Sequence, residues 1–184
     1  MTDAELIQKS LDGDGKAFEE LVRRYYQKAY RTAMMYVKNP DTALDISQEA
    51  FLRVYRNLKH YRFQHSFGGW LYQIVKHLCL NHLKRKRRKW LVFSDAFARY
   101  DGRPRAAEVH PVPDGLEMEE RARLLWQAMQ QLPPKDREIL MLKEAAELSY
   151  QDIARLLDIP MGTVMSRLYY ARKKLAGLLK GVLE

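Results

Sequence analysis

Apolar side chains recur every three or four positions along most of the chain, which is the spacing of helices that bury one face. Thr2 and Glu5 form a predicted capping box at the first helix, and Asn39-Pro40 is expected to end the second, since the residue before proline avoids helical backbone angles. No stretch shows sustained period-two alternation, so the predicted fold class is all-α. The third predicted helix turns these residues inward: Leu44, Ser47, Phe51, Val54 and Leu58.

Two helical parts separated by a linker are predicted from the way this spacing is interrupted. A fourth helix from about Gly69 runs into a basic cluster, Lys84–Lys89. Between Ser94 and Glu117 the periodicity fails, and prolines and glycines lie scattered among charges. A structureless stretch of that length is unusual inside one compact domain. The predicted organisation is therefore a first domain at 1–93, a flexible linker at 94–117 and a second domain at 118–184.

The end of the chain has the pattern of a helix-turn-helix. Ser149 is expected to cap a short helix, and Asp158-Ile159-Pro160 makes the turn into the final one. Hydroxyls and an arginine near the start of that final helix, with lysines further along, suit the DNA major groove. On pattern alone, an ordinary charged surface helix is an equally good interpretation. The outward side chains of the final helix include Thr163, Ser166, Arg167, Tyr170, Lys173 and Lys174.

Charge is concentrated in one part of the chain. The formal net charge of the 184 residues is +9, and residues 1–60, 61–105 and 106–184 carry +1, +9 and −1. The middle segment is therefore expected to meet a polyanion. The longest apolar run, Ala33–Val37, has five residues, whereas a membrane-spanning helix needs about 20. With no apolar signal core at the amino terminus, a cytoplasmic location is expected.

Several motifs together resemble a known family. Leu148–Ala154 followed by Ile159–Leu168 closely resembles region 4 of the extracytoplasmic-function (ECF) sigma factors, which belong to the sigma-70 family of bacterial RNA polymerase initiation factors. Leu132–Glu138 fits the same region. Asp45–Arg53 looks like the region 2 helix that docks on polymerase, and Phe67–Leu71 resembles the start of the promoter-melting helix. Because these motifs occur in the family's order, the chain is identified as a member.

The resemblance implies two partners, core RNA polymerase and promoter DNA, the latter both duplex and single-stranded. Docking on the clamp helices of the largest polymerase subunit would use Asp45, Gln48, Glu49 and Arg53. Recognition and melting of the downstream element would use Tyr61, Phe63, Lys76, His77, Asn81, Lys84, Arg85, Arg87 and Arg88. Recognition of the upstream element would use Thr163, Met165, Ser166, Arg167, Tyr170, Arg172, Lys173 and Lys174. An anti-sigma factor that masks both domains, and that would hold the protein at the membrane without insertion, is also implied.

Some of these residues admit other interpretations. Melting needs cations for the backbone and an aromatic surface for an extruded base, but Tyr61 and Phe63 fit a core equally well, and Trp70 is expected to pack. Many relatives have Asn and Asp at the positions of His77 and Asn81. Where relatives often carry basic residues on the final helix, this chain has Met165 and Tyr170, which would contact a thymine methyl instead of reading by charge.

No cofactor, metal site or enzymatic activity is predicted. His77, Cys79 and His82 are spaced so that His77 points away from the other two, and a fourth zinc ligand is missing. The chain has no phosphate-cradling glycine loop and no nucleophile with a positioned base. Three alternatives remain open from the residues alone: a polymerase-independent helix-turn-helix regulator, a metal-dependent enzyme acting on nucleic acid, and an RNA-binding adaptor.

Overall fold

The computed structural model describes residues 1–62, 66–97 and 116–183, with side chains except at 87–97, 116–120, 122 and 181–183. These residues form helices and no strand, which confirms the all-α prediction for them. The helices are α1 (Asp3–Leu11), α2 (Gly15–Val37), α3 (Pro40–Asn57), α4 (Phe67–Phe97), α5 (Leu116–Gln131), α6 (Pro134–Leu140), α7 (Tyr150–Leu157) and α8 (Met161–Leu183). A 3-10 turn (Leu58–His60) follows α3, and a π-helical segment (Met141–Ala145) continues α6.

Local side-chain caps set the helix starts. The capping box of Thr2 and Glu5 at α1 is confirmed. Asn39 accepts a hydrogen bond from the backbone N–H of Thr42 at 2.8 Å, so it caps α3 rather than ending α2. The second helix ends earlier, where Lys38 adopts a left-handed conformation with φ of 56°. Proline at the first position of α3 needs no N–H partner, so Asn39-Pro40 makes a compact corner between two long helices.

An apolar core joins α1, α2, α3 and α4, called here the N-terminal helices. Ser47, Phe51, Val54 and Leu58 are buried as predicted. The prediction that Leu44 turns inward is wrong, because its side chain is 40% exposed. At about 100° per residue, the buried sector of α3 is centred near Ala43, Ala50 and Val54, and Leu44 lies outside its edge.

A second core joins α5, α6, the π segment, α7 and α8, called here the C-terminal helices. It includes Met129, Leu132, Ile139 and Ile153, and the ring of Tyr72 from α4 belongs to the same cluster. The two groups of helices therefore touch, through α2 against the π segment and α4 against α7. The predicted linker overlaps the end of α4 and the start of α5, and its centre, 98–115, lies outside the described residues.

None of the helices in the described ranges has both the length and the apolar character needed to span a bilayer.

Candidate nucleic-acid and protein interfaces

The four residues predicted to dock on polymerase lie together on the outer side of α3. Asp45 and Gln48 are exposed, and Glu49 and Arg53 are partly exposed. Arg53 Nε donates to Glu49 Oε1 at 2.7 Å, which fixes the two side chains along the helix. The opposite face of α3 is buried in the N-terminal core, so this polar side is available to another molecule.

Apolar side chains lie beside these polar ones, and the sequence prediction did not include them. Leu52 and Tyr55 are 51% and 61% exposed, and the Tyr55 ring meets Phe18 edge to face at 5.0 Å. Leu44 completes the stripe, which runs at i, i+4, i+8 and i+11 with Gln48. A helical projection of the sequence would have predicted that Leu52 is exposed, because it lies half a turn from the centre of the buried sector. The α3 docking surface is defined here as Leu44, Asp45, Gln48, Glu49, Leu52, Arg53 and Tyr55.

Aromatic rings cluster where the chain enters α4. The Tyr61 ring lies 5.1 Å from Trp70 and 6.2 Å from Phe67. Tyr61 is half-buried against the N-terminal core, and burial is the main cause that raises its pKa to about 12. Trp70 also packs on this core, as predicted. Phe63, the other aromatic candidate, lies outside the described residues.

A cavity of about 260 Å³ opens beside these rings and is called here the α4 entrance cavity. Its lining combines aromatic rings with polar side chains, a composition that suits an unstacked base. Leu156 is the one lining residue that comes from the C-terminal helices. The lining residues are His60, Tyr61, Arg62, Gly69, Trp70, Gln73 and Leu156.

The predicted polar residues of α4 fall on two different sides of the helix. His77, Asn81, Lys84 and Arg85 share one face and are exposed or partly exposed. Lys76 instead forms an ion pair with Glu138 of α6. The side chains of Arg87 and Arg88 lie outside the described set. The structure therefore groups the first four as a surface and separates Lys76 from them.

The helix-turn-helix prediction is confirmed. Ser149 Oγ accepts a hydrogen bond from the Asp152 N–H at 3.0 Å and caps α7. Asp158, with φ of 52°, ends α7 in the left-handed conformation, and α8 starts three residues later. Val164 and Leu168 are buried, and they anchor α8 against the C-terminal core.

The outer face of α8 carries most of the predicted upstream-element residues. Met165, Ser166 and Tyr170 are exposed, and Thr163 and Arg167 are partly buried. Because the buried residues of α8 lie opposite, the side chains of this face project away from the C-terminal core. The face therefore presents a sulfur, hydroxyls, a ring and a guanidinium to a partner.

The basic residues further along α8 differ in their surroundings. Arg172 pairs with Glu144 at 2.6 Å and Lys174 with Asp136 at 2.5 Å, whereas Lys173 between them is exposed. The hydrogen bond to Glu144 is the leading cause that raises the pKa of Arg172.

Tyr169 was missed by the sequence prediction. Its side chain is 63% exposed, and its ring lies edge-on to Tyr170 at 5.3 Å. With Met165 and Tyr150 it lines a shallow groove beside Arg172. The sequence could have indicated that Tyr169 is exposed. Of Leu168-Tyr169-Tyr170, only Leu168 lies on the buried face of α8, so both tyrosines remain outside the core.

The residues considered for zinc are not arranged as a site. Cys79 is buried, and burial raises the pKa of its thiol to about 12, which disfavours the thiolate that metals bind. His77 and His82 are exposed on the surface of α4. Within the described ranges, no group of three or more His, Cys, Asp or Glu side chains could hold a metal ion.

Comparison with known proteins decides the family. Residues 21–89 match the sigma-70 region 2 model and residues 122–175 match the sigma-70 region 4 model. The RNA polymerase sigma-H factor of Pseudomonas aeruginosa is 32% identical over 186 residues, spanning 99% of this chain and 96% of the relative. The ECF RNA polymerase sigma-E factor of Haemophilus influenzae is 32% identical over 177 residues, spanning 94% and 93%. The chain belongs to the ECF sigma factors. In this sigma factor, α3 and the start of α4 lie within the region 2 match, and α7 and most of α8 lie within the region 4 match.

Solved structures share its fold. CnrH in complex with the cytosolic domain of CnrY superposes with a TM-score of 0.68 at 22% identity, covering 97% of both chains. The sigma factor RpoE in complex with the anti-sigma factor NepR from Bartonella quintana gives a TM-score of 0.62 at 23% identity, covering 90% of this chain and 98% of that one.

Proposed function

We propose that this sigma factor uses three separate surfaces in transcription initiation. The α3 docking surface binds core RNA polymerase, the α4 entrance cavity with the exposed polar face of α4 binds the downstream promoter element, and the outer face of α8 binds the upstream element. The observation that carries the proposal is the position of the exposed side chains. On α3 and α8, the residues turned away from a core are those suited to the partner that the motif implies.

Docking on polymerase is supported by the composition of the α3 docking surface. Protein interfaces combine an apolar centre with a polar rim, and exposed Leu52 and Tyr55 beside Asp45 and Glu49 have that character. The clamp helices of the largest subunit are the proposed partner. A polymerase-independent regulator has no use for such a surface, which disfavours that alternative.

Opening of the downstream element is supported by the α4 entrance cavity and the surface that follows it. Tyr61 and Trp70 line this cavity and are the proposed stacking surface for an unstacked base, and base–aromatic stacking contributes about 1–3 kcal/mol per base. His77, Asn81, Lys84 and Arg85 continue from this point as a polar and basic face for the backbone. Phe63, Arg87 and Arg88 remain part of the proposed surface on the strength of the sequence.

Reading of the upstream element is assigned to Met165, Ser166, Arg167, Tyr169 and Tyr170 on α8. Arginine is the side chain best suited to guanine, and the thioether and the rings suit a thymine methyl. Lys173 would hold a phosphate. Thr163, Arg172 and Lys174 are also proposed to contact the upstream element. On binding, Arg172 and Lys174 would exchange their internal ion pairs for contacts with phosphates.

The remaining assignments follow from family membership. The protein is proposed to act in the cytoplasm and to catalyse no covalent step itself. An anti-sigma factor, such as the NepR that binds RpoE of Bartonella quintana, is proposed to control it and to hold it at the membrane.

In vitro transcription with purified core polymerase and a library of promoter templates tests the proposal. Addition of this protein is expected to produce defined start sites that core enzyme alone does not give. If transcripts start at the same positions with and without it on every template, the proposed function is wrong.

A further inference from the structure

Tyr25 of α2 supports the rings at the α4 entrance from the side of the N-terminal core. Its ring meets Phe67 edge to face, with the two centroids 4.9 Å apart, and a Cβ added to Gly68 would lie 3.2 Å from its Cε1 atom. Phe67 is buried, and its ring lies 6.1 Å from the ring of Trp70. Because Tyr61 also lies against Phe67, one buried ring connects Tyr25 to both rings that are proposed to stack on a base.

A carboxylate on α1 holds the hydroxyl of Tyr25. Tyr25 Oη donates a hydrogen bond to Asp3 Oδ2, and the other oxygen of this carboxylate lies 3.3 Å from Arg24 Nη1. Burial, followed by this hydrogen bond, raises the pKa of Tyr25, so its hydroxyl stays protonated and remains a donor at neutral pH. The charge of Asp3 is also the second cause, after burial, that raises the pKa of Tyr61. One carboxylate therefore acts on the two tyrosines that contact Phe67.

Helix α1 gives this carboxylate a fixed position. Leu6 and Ile7 are buried in the N-terminal core, and the capping box closes the first turn of the helix. Helix α1 also contacts both α2 and the 3-10 turn that precedes Tyr61. These contacts anchor α1, so removal of the Tyr25 hydroxyl leaves the carboxylate without this donor but does not release the helix.

We propose that Tyr25 and Asp3 are positioning residues for promoter opening, because their hydrogen bond holds the Tyr25 ring against Phe67. Neither residue belongs to the cavity lining described above, so the effect passes through Phe67 to Tyr61 and Trp70. A stacking surface that is already ordered avoids the entropic cost of ordering side chains when the base arrives. This role rests on the proposed function, since it deepens the one given there to the α4 entrance cavity.

Tyr25→Phe tests the hydrogen bond, because it keeps the ring and removes only the hydroxyl. Parent and variant are each assembled with core polymerase on a template at which the parent starts transcription. Permanganate reactivity of unpaired thymines measures the rate of strand opening, and gel retention at low temperature, where the duplex stays closed, measures initial binding. Opening is expected to be about fivefold slower, as for the loss of one hydrogen bond, with unchanged duplex affinity. An opening rate equal to that of the parent, or a loss confined to duplex affinity, overturns the inference.

Variants of Asp3 test the acceptor. Asp3→Ala is expected to slow opening about as much as Tyr25→Phe, whereas Asp3→Asn keeps an oxygen that accepts from the hydroxyl and is expected to open near the parental rate. In the double variant of Asp3→Ala and Tyr25→Phe the two losses are expected not to add, because both changes remove the same bond. Additive losses would exclude the shared hydrogen bond as their cause.

Arg24→Gln is the matched control, because it removes the ion pair of the same carboxylate and leaves the hydrogen bond of Tyr25 in place. It is expected to open the template at the parental rate. Equal slowing by Arg24→Gln and Tyr25→Phe would assign the effect to the attachment of α1 and overturn the positioning role.

The parent protein separates this test from that of the proposed function. A parent that opens no template with core polymerase refutes both. A parent and a Tyr25→Phe variant that open the same template equally fast refute only the positioning role.

Discussion

Arg172 on α8 donates two hydrogen bonds to a single oxygen of Glu144, from Nε at 3.2 Å and from Nη2 at 2.6 Å. The pair joins α8 to the π segment. It also places a carboxylate on the surface proposed to meet phosphates, so we expect Glu144 to oppose the approach of DNA.

Glu144→Gln is expected to tighten binding to every duplex sequence, by about 1 kcal/mol or less because the pair is exposed. Neutralising the carboxylate removes a repulsion and releases Arg172. Fluorescence anisotropy of labelled duplexes across a salt series would measure the gain, which should shrink as salt rises. Glu19→Gln, exposed on α2, is the control for net charge, and an equal gain from it would contradict the local explanation.

Arg167→Ala and Lys173→Ala are expected to weaken DNA binding in different ways. Loss of Arg167 should cost about 1–3 kcal/mol on the preferred upstream element and little on other sequences, because a base contact is removed. Loss of Lys173 should weaken all sequences alike and reduce the salt slope by about one. Holoenzyme binding to matched and scrambled upstream elements separates the two. Uniform losses from Arg167→Ala would make it a phosphate contact.

Much of this fold follows from local sequence signals. The caps formed by Thr2 and Ser149 and most of the buried face of α3 depend on neighbours within a few residues, so periodicity and capping chemistry predict them. The exposure of Leu44 was missed because spacing alone does not place the edge of a buried sector.

The contacts between the two groups of helices could not be predicted. Leu148 against Gly68 and Glu147 against Arg31 join residues that are distant in sequence, and no local pattern marks them. The same holds for Lys76, which sequence places with the other cations of α4 and the fold pairs with Glu138. Candidate sites could therefore be assigned by motif, but the exposure and the ion-pair partner of each side chain could be read only from the tertiary structure.

Leu52→Asp is expected to weaken binding of core polymerase by about 2 kcal/mol or more, because a leucine buried in the complex would become a desolvated charge. Affinity measured by energy transfer or by competition with another sigma factor would report the loss. Leu11→Asp, at an exposed leucine on α1, is the matched control and should bind normally. Equal affinities for the two variants would exclude the apolar part of the α3 docking surface from the interface.

The buried thiol of Cys79 predicts a loss of stability in alkali. Its pKa is raised to about 12 by burial, against about 8.5 in an unfolded chain. Between these two pKa values the unfolded chain holds fewer protons than the native one. The contribution of the protonated thiol to the free energy of unfolding is therefore complete below about pH 8.5 and is lost progressively toward pH 12. Urea unfolding of Cys79→Ala at several pH values should show a shallower decline than the parent, by up to about 1.4 kcal/mol per pH unit. Parallel declines would show that the thiol ionises normally in the native state.

Tyr72 belongs to α4 by sequence, yet its ring lies in the apolar cluster of the C-terminal helices and is only 2% exposed. Cutting the gene between the two family regions would strand this ring at the surface of one fragment and leave a vacancy in the other. A region 2 fragment would thus expose an aromatic ring that the whole chain buries. A polar replacement at Tyr72 would remove this exposed ring from any such fragment.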